Sequence, residues 1–403
     1  MKIGLVVPEV RLTGGIQKHA EFVLEVLTSI PQAEVEIASL AMSSRDRSSV
    51  RLFSYQSWKH GVRQEAVHLG GRSATHFGCF LSELETQRFS KRADLTAFVQ
   101  RQDLVAVVAG APSWSLPVTG LGVPVVLTFA TLTSLERAPE VPWTWSIRKA
   151  VRNLITRRVA ALDDLGLQAS DEVVVENRIM FDYAVKKRGS VAGVTYAPPG
   201  VDTELFRPLE VRTFDNPFYL FVGRMRDPRK NFGMLIDAYR QLLKRMPEAP
   251  RLVLAGTEPP DPRALENIPV EKLELVLQPS DSHLADLYRG ATASILTSDE
   301  EGLGFVVIEA MASGVPVVST RCGGPEEIIT HSEDGFLVDR GDVIALCKYL
   351  EQLANDRDLN LAIGKQARRS AVSNFSLSST RHHHRSIYEA LLDNPNSQRK
   401  EFS

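Results

Sequence analysis

The chain has 403 residues, of which 43% are hydrophobic and 24% are charged, and its formal net charge is −2 at pH 7. A single hydrophobic core does not support this length, so the sequence predicts two domains of about 200 residues each. The composition excludes large disordered regions, and the near-neutral charge argues against nucleic acid as a general partner.

The amino-terminal segment and the cysteines favour a cytoplasmic protein. Residues 2–8 have the pattern of a buried strand and lack the basic, apolar and cleavage regions of a signal peptide. Residues 104–135 are the most apolar region, but prolines interrupt it, so it predicts two buried strands rather than a membrane span. The cysteines are widely separated and odd in number, which is typical of reduced thiols: Cys79, Cys322 and Cys347.

Strands and helices alternate along the first half of the chain. Apolar runs predict strands near residues 3–7, 35–39, 104–109, 124–129, 172–176 and 193–196. After the first strand, a turn at Gly14-Gly15 leads to a helix with one apolar face formed by Ile16, Ala20, Val23, Leu24 and Leu27. Residues 42–75 are polar and receive no assignment.

The alternation stops at residues 197–202, whose prolines and glycine make this segment the best candidate linker. It then restarts, with strands predicted near residues 218–222, 251–255, 273–277, 293–296, 315–319 and 335–338. Two halves of this build predict an α/β protein with two parallel, doubly wound sheets and a cleft between them. Ligands of such sheets bind beyond the carboxyl ends of the strands, so we expect the functional motifs there.

The most informative run is residues 298–310, in which Glu301 and Glu309 lie on either side of a glycine turn and an apolar helix start. Backbone amides at the beginning of such a helix can hold a diphosphate. Glu309 falls in a helix that is apolar on nearly every side, so its carboxylate needs hydrogen-bond donors. The two hydroxyls of a nucleotide ribose would supply them, and so would a neighbouring arginine or backbone amides.

Two further glycine turns follow predicted strands. Residues 223–231 carry four cations, which suit phosphate recognition, although a solvated loop is the commoner fate of such a run: Arg224, Arg226, Arg229 and Lys230. Residues 319–327 form the other turn, whose two glycines, Gly323 and Gly324, suit a close approach of the backbone. Glu326 or Glu327 favours the start of the next helix.

Taken in chain order, these motifs resemble the retaining nucleotide-sugar glycosyltransferases of family 4. The strongest matches are residues 301–304, 309–318, 323–326 and 334–338, with weaker support from Gly14-Gly15 and residues 199–202, 206–208, 222–224 and 230–231. The resemblance implies the GT-B fold, with two facing Rossmann-like domains and a central cleft. Residues 1–197, joined by the carboxyl-terminal helix 380–403, would form the acceptor-side domain, and residues 198–379 the donor domain.

The resemblance also implies roles for particular residues. Arg224 and Lys230 would neutralise the donor diphosphate, and Gly302, Leu303 and Gly304 would bring backbone amides to the sugar and phosphates. Glu309 would bind the ribose, and Gly15 would let its loop close over the diphosphate. Glu301 would be the catalytic residue, lying near the transferred sugar and stabilising positive charge at the anomeric carbon.

The implied activity is transfer of a hexosyl unit from a nucleoside-diphosphate sugar to a sugar or lipid-linked acceptor, with retention of configuration. The donor is a co-substrate, and the resemblance implies neither a metal nor a cofactor. The sequence departs from the family in the spacing from Arg224 to Lys230, which is one residue longer than usual, so Arg226 or Arg229 could share the phosphate role. It also departs at Ala130, where a histidine is common. Thr128, Thr131 or Thr133 could substitute, His19 could be a local replacement, the alignment could be shifted, or transfer could be impaired. The alternative function is therefore a catalytically impaired scaffold that binds nucleotide or a partner.

Residues 143–158 combine tryptophans and cations with an apolar helical stripe, a pattern found in helices that lie on anionic membranes. A surface helix whose stripe packs on the first domain is the alternative. The first interpretation predicts peripheral membrane contact at the inner face of the membrane. His382-His383-His384 falls within a predicted helix and is too short to indicate a metal site.

Overall fold

The computed structural model describes residues 1–11, 14–137, 147–210 and 215–393, and of residues 147–151 it describes the backbone only. The chain forms two compact units. Unit 1 contains residues 1–199 and 381–403, and unit 2 contains residues 200–380.

Unit 1 is built on an eight-stranded sheet with the order β3-β4-β2-β1-β5-β6-β7-β8. Its strands are β1 (Lys2–Pro8), β2 (Glu34–Leu40), β3 (Gln64–Leu69), β4 (Arg72–Phe77), β5 (Leu104–Ala109), β6 (Val125–Phe129), β7 (Glu172–Val175) and β8 (Val194–Tyr196). Only β3 runs antiparallel to its neighbour among the described strand pairs of this sheet. The register pairs Ile3 with Val35 on one side and with Leu104 on the other.

The central strands of unit 1 are apolar on both faces, as parallel strands covered by helices must be. Every residue of β5 and β6 is buried. The helices of this unit are α1 (Gly15–Thr28), α2 (Tyr55–His60), α3 (Glu85–Arg88), α4 (Ala93–Val99), α5 (Thr133–Glu136), α6 (Ile147–Ala169) and α7 (Arg178–Arg188).

The antiparallel hairpin of β3 and β4 occupies part of the segment that the sequence left unassigned. Its turn is Gly70-Gly71, and both glycines have positive φ values, 54° and 75°. That geometry is required by the tight turn that joins two such strands. The sequence pattern does not predict the hairpin, because only two residues of its edge strand, Val67 and Leu69, are apolar and buried.

Unit 2 contains a six-stranded, all-parallel sheet with the order β11-β10-β9-β12-β13-β14. Its strands are β9 (Phe218–Val222), β10 (Arg251–Gly256), β11 (Leu273–Leu277), β12 (Ala293–Leu296), β13 (Val317–Thr320) and β14 (Phe336–Val338). Its helices are α8 (Phe232–Arg245), α9 (Asp281–Gly290), α10 (Phe305–Ala312), α11 (Gly324–Ile328), α12 (Val343–Asn355) and α13 (Arg357–Phe375). The predicted alternation of strands and helices is confirmed, and Glu309 lies in a helix, α10, as predicted.

Two apolar layers enclose the sheet of unit 2, because successive residues of a strand point to opposite faces. Leu220 of β9 belongs to a cluster with Met311 of α10 and Ala371 of α13. Its neighbour Tyr219 belongs to a second cluster with helices α8 and α12. Burial of both faces leaves the carboxyl edge of the strands as the place where polar side chains gather.

The last helix, α14 (Leu377–Asp393), begins in unit 2 and enters unit 1 at Arg381. Within unit 1 it packs on α1, where the rings of Phe22 and His384 meet edge to face at 4.8 Å. Arg385 donates to the carbonyl of Ser29 at the end of the same helix, and Arg381 pairs with Glu25. Residues 394–403, part of the carboxyl-terminal segment predicted to be helical, lie outside the described residues.

Candidate active site

The candidate site lies at the carboxyl edge of the sheet of unit 2. Strand β9 pairs with β10 on one side and β12 on the other, so the strand order changes direction between β9 and β12. Ligands of open parallel sheets bind at such a switch point. The loops after β9 and β12 carry the predicted site residues Arg224, Lys230 and 301–304. The loop after β13 is hydrogen-bonded to the loop after β12 at the same edge.

Lys230 and Glu301 form the ion pair at the centre of this edge. The Lys230 ammonium contacts Glu301 Oε1, and the two side chains are 15% and 14% exposed. Ser298 donates its hydroxyl to the same carboxylate oxygen at 2.6 Å. The hydroxyl of Thr297 bonds the carbonyl of Lys230 at 2.9 Å and so ties the loop after β9 to the end of β12. The sequence did not single out these two hydroxyl groups as site residues.

The other cations of the loop after β9 have different partners. Arg224 and Arg229 both bond Asp227, at 2.8 Å and 3.0 Å. Burial raises the pKa of Asp227, but its bonds and charge interactions with these arginines outweigh burial and lower the pKa overall. Arg229 also approaches Glu300 at 3.5 Å. Arg226 donates to the carbonyl of Pro259, which directs its side chain toward another loop.

The glycine turn before α10 is held against the loop after β13. Gly304 has a φ of 95°, in the left-handed region that favours glycine, and precedes the first residue of α10. The amide of Glu301 donates to Cys322, and the amide of Gly324 donates to Glu301. A Cβ at Gly324 would lie 2.2 Å from the carbonyl oxygen of Leu303, so only glycine permits this approach. Helix α10 therefore begins directly after the turn that contains Glu301, the ion-pair partner of Lys230.

A cysteine and a glutamate flank this turn. Burial raises the pKa of the Cys322 thiol to about 12, and the nearby Glu301 charge acts in the same direction. Cys322 is therefore a neutral thiol rather than a nucleophile. At the start of α11, Glu326 accepts a hydrogen bond from the amide of Gly323 at 3.2 Å, in agreement with the predicted helix-start position.

Glu309 lies in α10, one helical turn after the first residue of that helix, and is 1% exposed. The hydroxyl of Tyr288, on α9, donates to its Oε2 at 3.1 Å. Burial, reinforced by the Glu309 charge, raises the pKa of Tyr288 well above the usual value, so the phenol keeps its proton. No local sequence signal indicates a tyrosine as the partner of Glu309.

Gly15 and the residues around Ala130 lie in unit 1. Gly15 is the first residue of α1. The carbonyl of Ala130 accepts a bond from the Asn177 side chain at 3.4 Å. Among the threonines near Ala130, Thr128 lies in β6 and Thr131 and Thr133 follow it, all three buried.

His19 is a buried residue of α1. It is 2% exposed, and its Nδ1 lies 2.5 Å from Oε1 of Glu176, at the end of β7. This contact ties α1 to the sheet and gives His19 a packing role within unit 1.

A second polar cluster lies in unit 1, where Glu9, Asp46 and His76 bring potential metal-ligand atoms within 4.8 Å of one another. The Arg11 guanidinium lies among them, bonded to Glu9 at 2.6 Å and to Asp46 at 3.1 Å. Burial raises the pKa of Asp46, but bonds from His76 and Ser49 and the Arg11 charge outweigh it and lower the pKa to about 2. Arginine already balances the acidic charge in this cluster.

The segment predicted to touch membranes is described in part. Trp143 and Trp145 lie outside the described residues, as do the side chains of Arg148 and Lys149. Arg152, Arg157 and Arg158 are exposed on α6, and Leu154 and Ile155 of the apolar stripe are 55% and 38% exposed. Among the described residues, no helix combines the length and the apolar character needed to cross a bilayer.

Residues 203–370 match the family model of the glycosyl transferases group 1. The N-acetyl-alpha-D-glucosaminyl L-malate synthase of Bacillus anthracis is 33% identical over 150 residues, which are 36% of this chain and 39% of that protein. The D-inositol 3-phosphate glycosyltransferase of Corynebacterium urealyticum is 31% identical over 202 residues, 45% of this chain and 47% of that protein. The chain thus spans less than half the length of each of these relatives.

A solved structure resembles the whole chain. Anabaena HepE, determined in complex with UDP, has a TM-score of 0.69 and 16% sequence identity, and the match covers 97% of this chain and 100% of that one. At this identity the likeness shows the fold, which has two Rossmann-like α/β domains. The predicted GT-B fold is confirmed, and the family match to the group 1 glycosyltransferases covers residues 203–370 of the chain.

Proposed function

We propose that the protein is a retaining glycosyltransferase that moves a hexosyl unit from a nucleoside-diphosphate sugar to a sugar or lipid-linked acceptor. The observation that carries this proposal is the Lys230–Glu301 pair at the switch point of the unit 2 sheet, beside the first turn of α10. A cation, a carboxylate and a helix start at one sheet edge suit a substrate that is anionic at its phosphates and becomes cationic at its sugar.

The diphosphate is the part of the donor that Lys230 recognises. Its oxygens compete with Glu301 for the ammonium group, and the backbone at Gly302, Leu303 and Gly304 and the first amides of α10 add donors and a favourable dipole. Arg224 contributes a half-exposed guanidinium from the same loop. Gly15, at the start of α1, is proposed as a further donor-binding residue because the backbone can approach an anion closely there.

The ribose is assigned to Glu309. Its carboxylate is buried next to the glycine turn, and Tyr288 holds one of its oxygens. A carboxylate fixed in this way is a suitable acceptor for adjacent sugar hydroxyls.

Glu301 is proposed as the catalytic residue. When the donor phosphates bind the Lys230 ammonium, the Glu301 carboxylate keeps its hydrogen bond from Ser298. Its negative charge then stabilises the positive charge that develops at the anomeric carbon. The departing phosphate oxygen takes the acceptor proton on the same face, which retains configuration. The chain then contributes positioning and electrostatics rather than a covalent intermediate.

The base of the donor is proposed from the solved neighbour, whose complex contains UDP. UDP-sugars are therefore the first donors to test, with GDP- and ADP-sugars beside them. The acceptor is proposed to be a sugar or a lipid-linked sugar. All three cysteines are buried free thiols, which agrees with the proposed cytoplasmic location.

The test of donor binding is the thermal midpoint of the purified protein with UDP, GDP, ADP and their sugar conjugates. A ligand at 100 times its dissociation constant adds about 2.7 kcal/mol, enough to raise the midpoint by several degrees. The Lys230→Met variant should lose this shift. The matched control is Arg226→Met, which removes a cation of the same loop whose side chain bonds Pro259, and it should keep the shift. Equal shifts in both variants would refute the assignment of Lys230.

A second candidate function is a scaffold that binds nucleotide or a partner without transferring sugar, and Ala130 is the observation that favours it. The two functions differ in one measurement, the release of nucleoside diphosphate from a bound sugar nucleotide. Release that depends on an acceptor and is lost in Glu301→Gln supports the transferase. Tight donor binding without release, over a panel of sugar and lipid-linked acceptors, supports the scaffold.

A further inference from the structure

Unit 1 exposes a compact group of apolar side chains around the short helix α2, here called the aromatic patch. Phe53 is 91% exposed and Tyr55 is 84% exposed, although both are large hydrophobic residues. Trp58, Phe80 and Leu52 are 49%, 46% and 43% exposed. Contiguous exposed apolar groups of this kind mark surfaces that another molecule covers.

The aromatic patch is held by the fold. The rings of Trp58 and Phe80 meet edge to face at 5.5 Å, and Trp58 Nε1 donates to the carbonyl of Leu52 at 3.4 Å. A backbone bridge joins Val50 to Phe80. Half-buried Trp58 and Phe80 thus form a base, and Phe53 and Tyr55 project from it into solvent.

The chain around the patch is strongly basic. Residues 45–63 contain five arginines and lysines: Arg45, Arg47, Arg51, Lys59 and Arg63. Their only acidic residue is Asp46, which is buried and paired with Arg11. Glu83, exposed beside the patch, accepts the backbone N–H of Leu52 with its carboxylate oxygens at 3.0 Å. The charge that this surface presents to a partner is therefore positive.

We infer that the aromatic patch and its basic surroundings bind the surface of an anionic lipid membrane. Aromatic side chains are favoured at the boundary between headgroups and acyl chains, and lysine and arginine are attracted to anionic headgroups. A sugar ligand would instead need aromatic platforms in a recess, whereas Phe53 and Tyr55 project. Because the surroundings of the patch are positively charged, its partner should be negatively charged. An anionic membrane is such a partner, and binding it does not require a pocket in the protein. This inference does not depend on the proposed transfer reaction.

The test uses the full chain and flotation with vesicles of phosphatidylcholine, either pure or containing about one-third phosphatidylglycerol. The protein should float with the anionic vesicles, and high salt should weaken the binding. Phe53→Ser/Tyr55→Ser and Lys59→Glu/Arg63→Glu should each lower the partition coefficient by about tenfold or more. All four side chains are exposed, so both variants should keep the unfolding midpoint of the parent.

Matched controls distinguish binding through the aromatic patch from nonspecific adsorption of the protein to vesicles. Val270→Ser removes an apolar group that is 85% exposed in unit 2, and Lys365→Glu/Arg369→Glu reverses two exposed charges of α13. Both should float like the parent. Arg157→Glu/Arg158→Glu tests α6, the other surface with a membrane interpretation.

Three results would overturn the inference. The first is a parent protein that floats with neither vesicle. The second is undiminished flotation of Phe53→Ser/Tyr55→Ser, whether or not the α6 variant is affected. The third is a parent dimer that the patch variants convert to monomer without any vesicle binding, which would assign the patch to a second copy of this chain.

Discussion

At the scale of single residues, the buried Glu309 shows what sequence can and cannot supply. Its position in an apolar helix predicted that the carboxylate needs donors, and the structure provides one from Tyr288. The partner could not be read from the chain because it lies on another helix and meets Glu309 only when α9 packs on α10. The same holds for Lys230 and Glu301, which are 71 positions apart.

The Tyr288–Glu309 bond makes a prediction about stability. Tyr288→Phe keeps the ring but removes a hydrogen bond to a buried carboxylate, which should cost about 1.5–3 kcal/mol of unfolding free energy. Chemical denaturation measures this change. Tyr239→Phe is the matched control, because the Tyr239 hydroxyl bonds the neutral carbonyls of Pro250 and Lys272, and its loss should cost about 1 kcal/mol. An equal loss of unfolding free energy in the two variants would show that the Tyr288–Glu309 hydrogen bond is no stronger than a bond to a neutral carbonyl.

At the scale of elements, the glycine turn of residues 302–304 acts together with the loop after β13. Gly323 and Gly324 bring their backbone against Glu301 and Leu303, so two loops that follow different strands form one rigid edge. The fold class, strand alternation and helix α10 were predictable because local patterns encode them. The β3–β4 hairpin has one usable signal, Gly70-Gly71. For the pairing of the two loops, Gly323-Gly324 predicted a close backbone approach, but nothing in the sequence indicated which loop would be approached.

This pairing predicts the effect of adding one methyl group. Gly324→Ala places a Cβ against the carbonyl of Leu303 and should lower the unfolding free energy by about 1–3 kcal/mol. It should also weaken donor binding, because the turn at the start of α10 must shift. Denaturation and nucleotide titration measure the two effects.

Gly233→Ala is the control for this substitution. Gly233 lies in α8, and its Cβ would have nothing within 4 Å among the described residues. Alanine there should raise stability by about 0.5–1 kcal/mol, with donor binding unchanged. A Gly324→Ala protein as stable as the parent would contradict the described contact between the two loops.

At the scale of the whole molecule, the amino-terminal unit includes the last helix. His384 of α14 is fully buried against Phe22 and His19, and its Nε2 lies 3.2 Å from the carbonyl of Pro198. Burial, reinforced by His19, lowers the pKa of His384 to about 3. The folded protein therefore holds this imidazole neutral at pH values where an unfolded chain would protonate it.

The pH dependence of stability follows from that shift. Below the unfolded pKa of about 6.5, His384 binds a proton in the unfolded chain but stays neutral in the folded chain. The free energy of unfolding therefore falls as the pH drops from about 6.5 toward 3. His384→Phe keeps an aromatic ring on Phe22 and removes the titrating group, so its stability should fall less steeply over this range. Urea denaturation at a series of pH values measures the two slopes.

His283→Phe is the matched control, since His283 is exposed on α9. It should follow the pH dependence of the parent protein. A His384→Phe slope identical to that of the parent would exclude His384 as the source of acid sensitivity.

The path of α14 has a consequence for biosynthesis. Unit 2 is continuous in sequence, whereas unit 1 needs both the first residues and the last ones. On a ribosome, synthesis at roughly 5–20 residues per second would separate residue 199 from residue 381 by about ten to forty seconds. During that interval the side of α1 that carries Phe22 lacks its cover from His384, and the nascent unit 1 presents an incomplete core to chaperones. Synthesis of unit 1 therefore begins first, but its core is completed only after all of unit 2 has been made and has had time to fold.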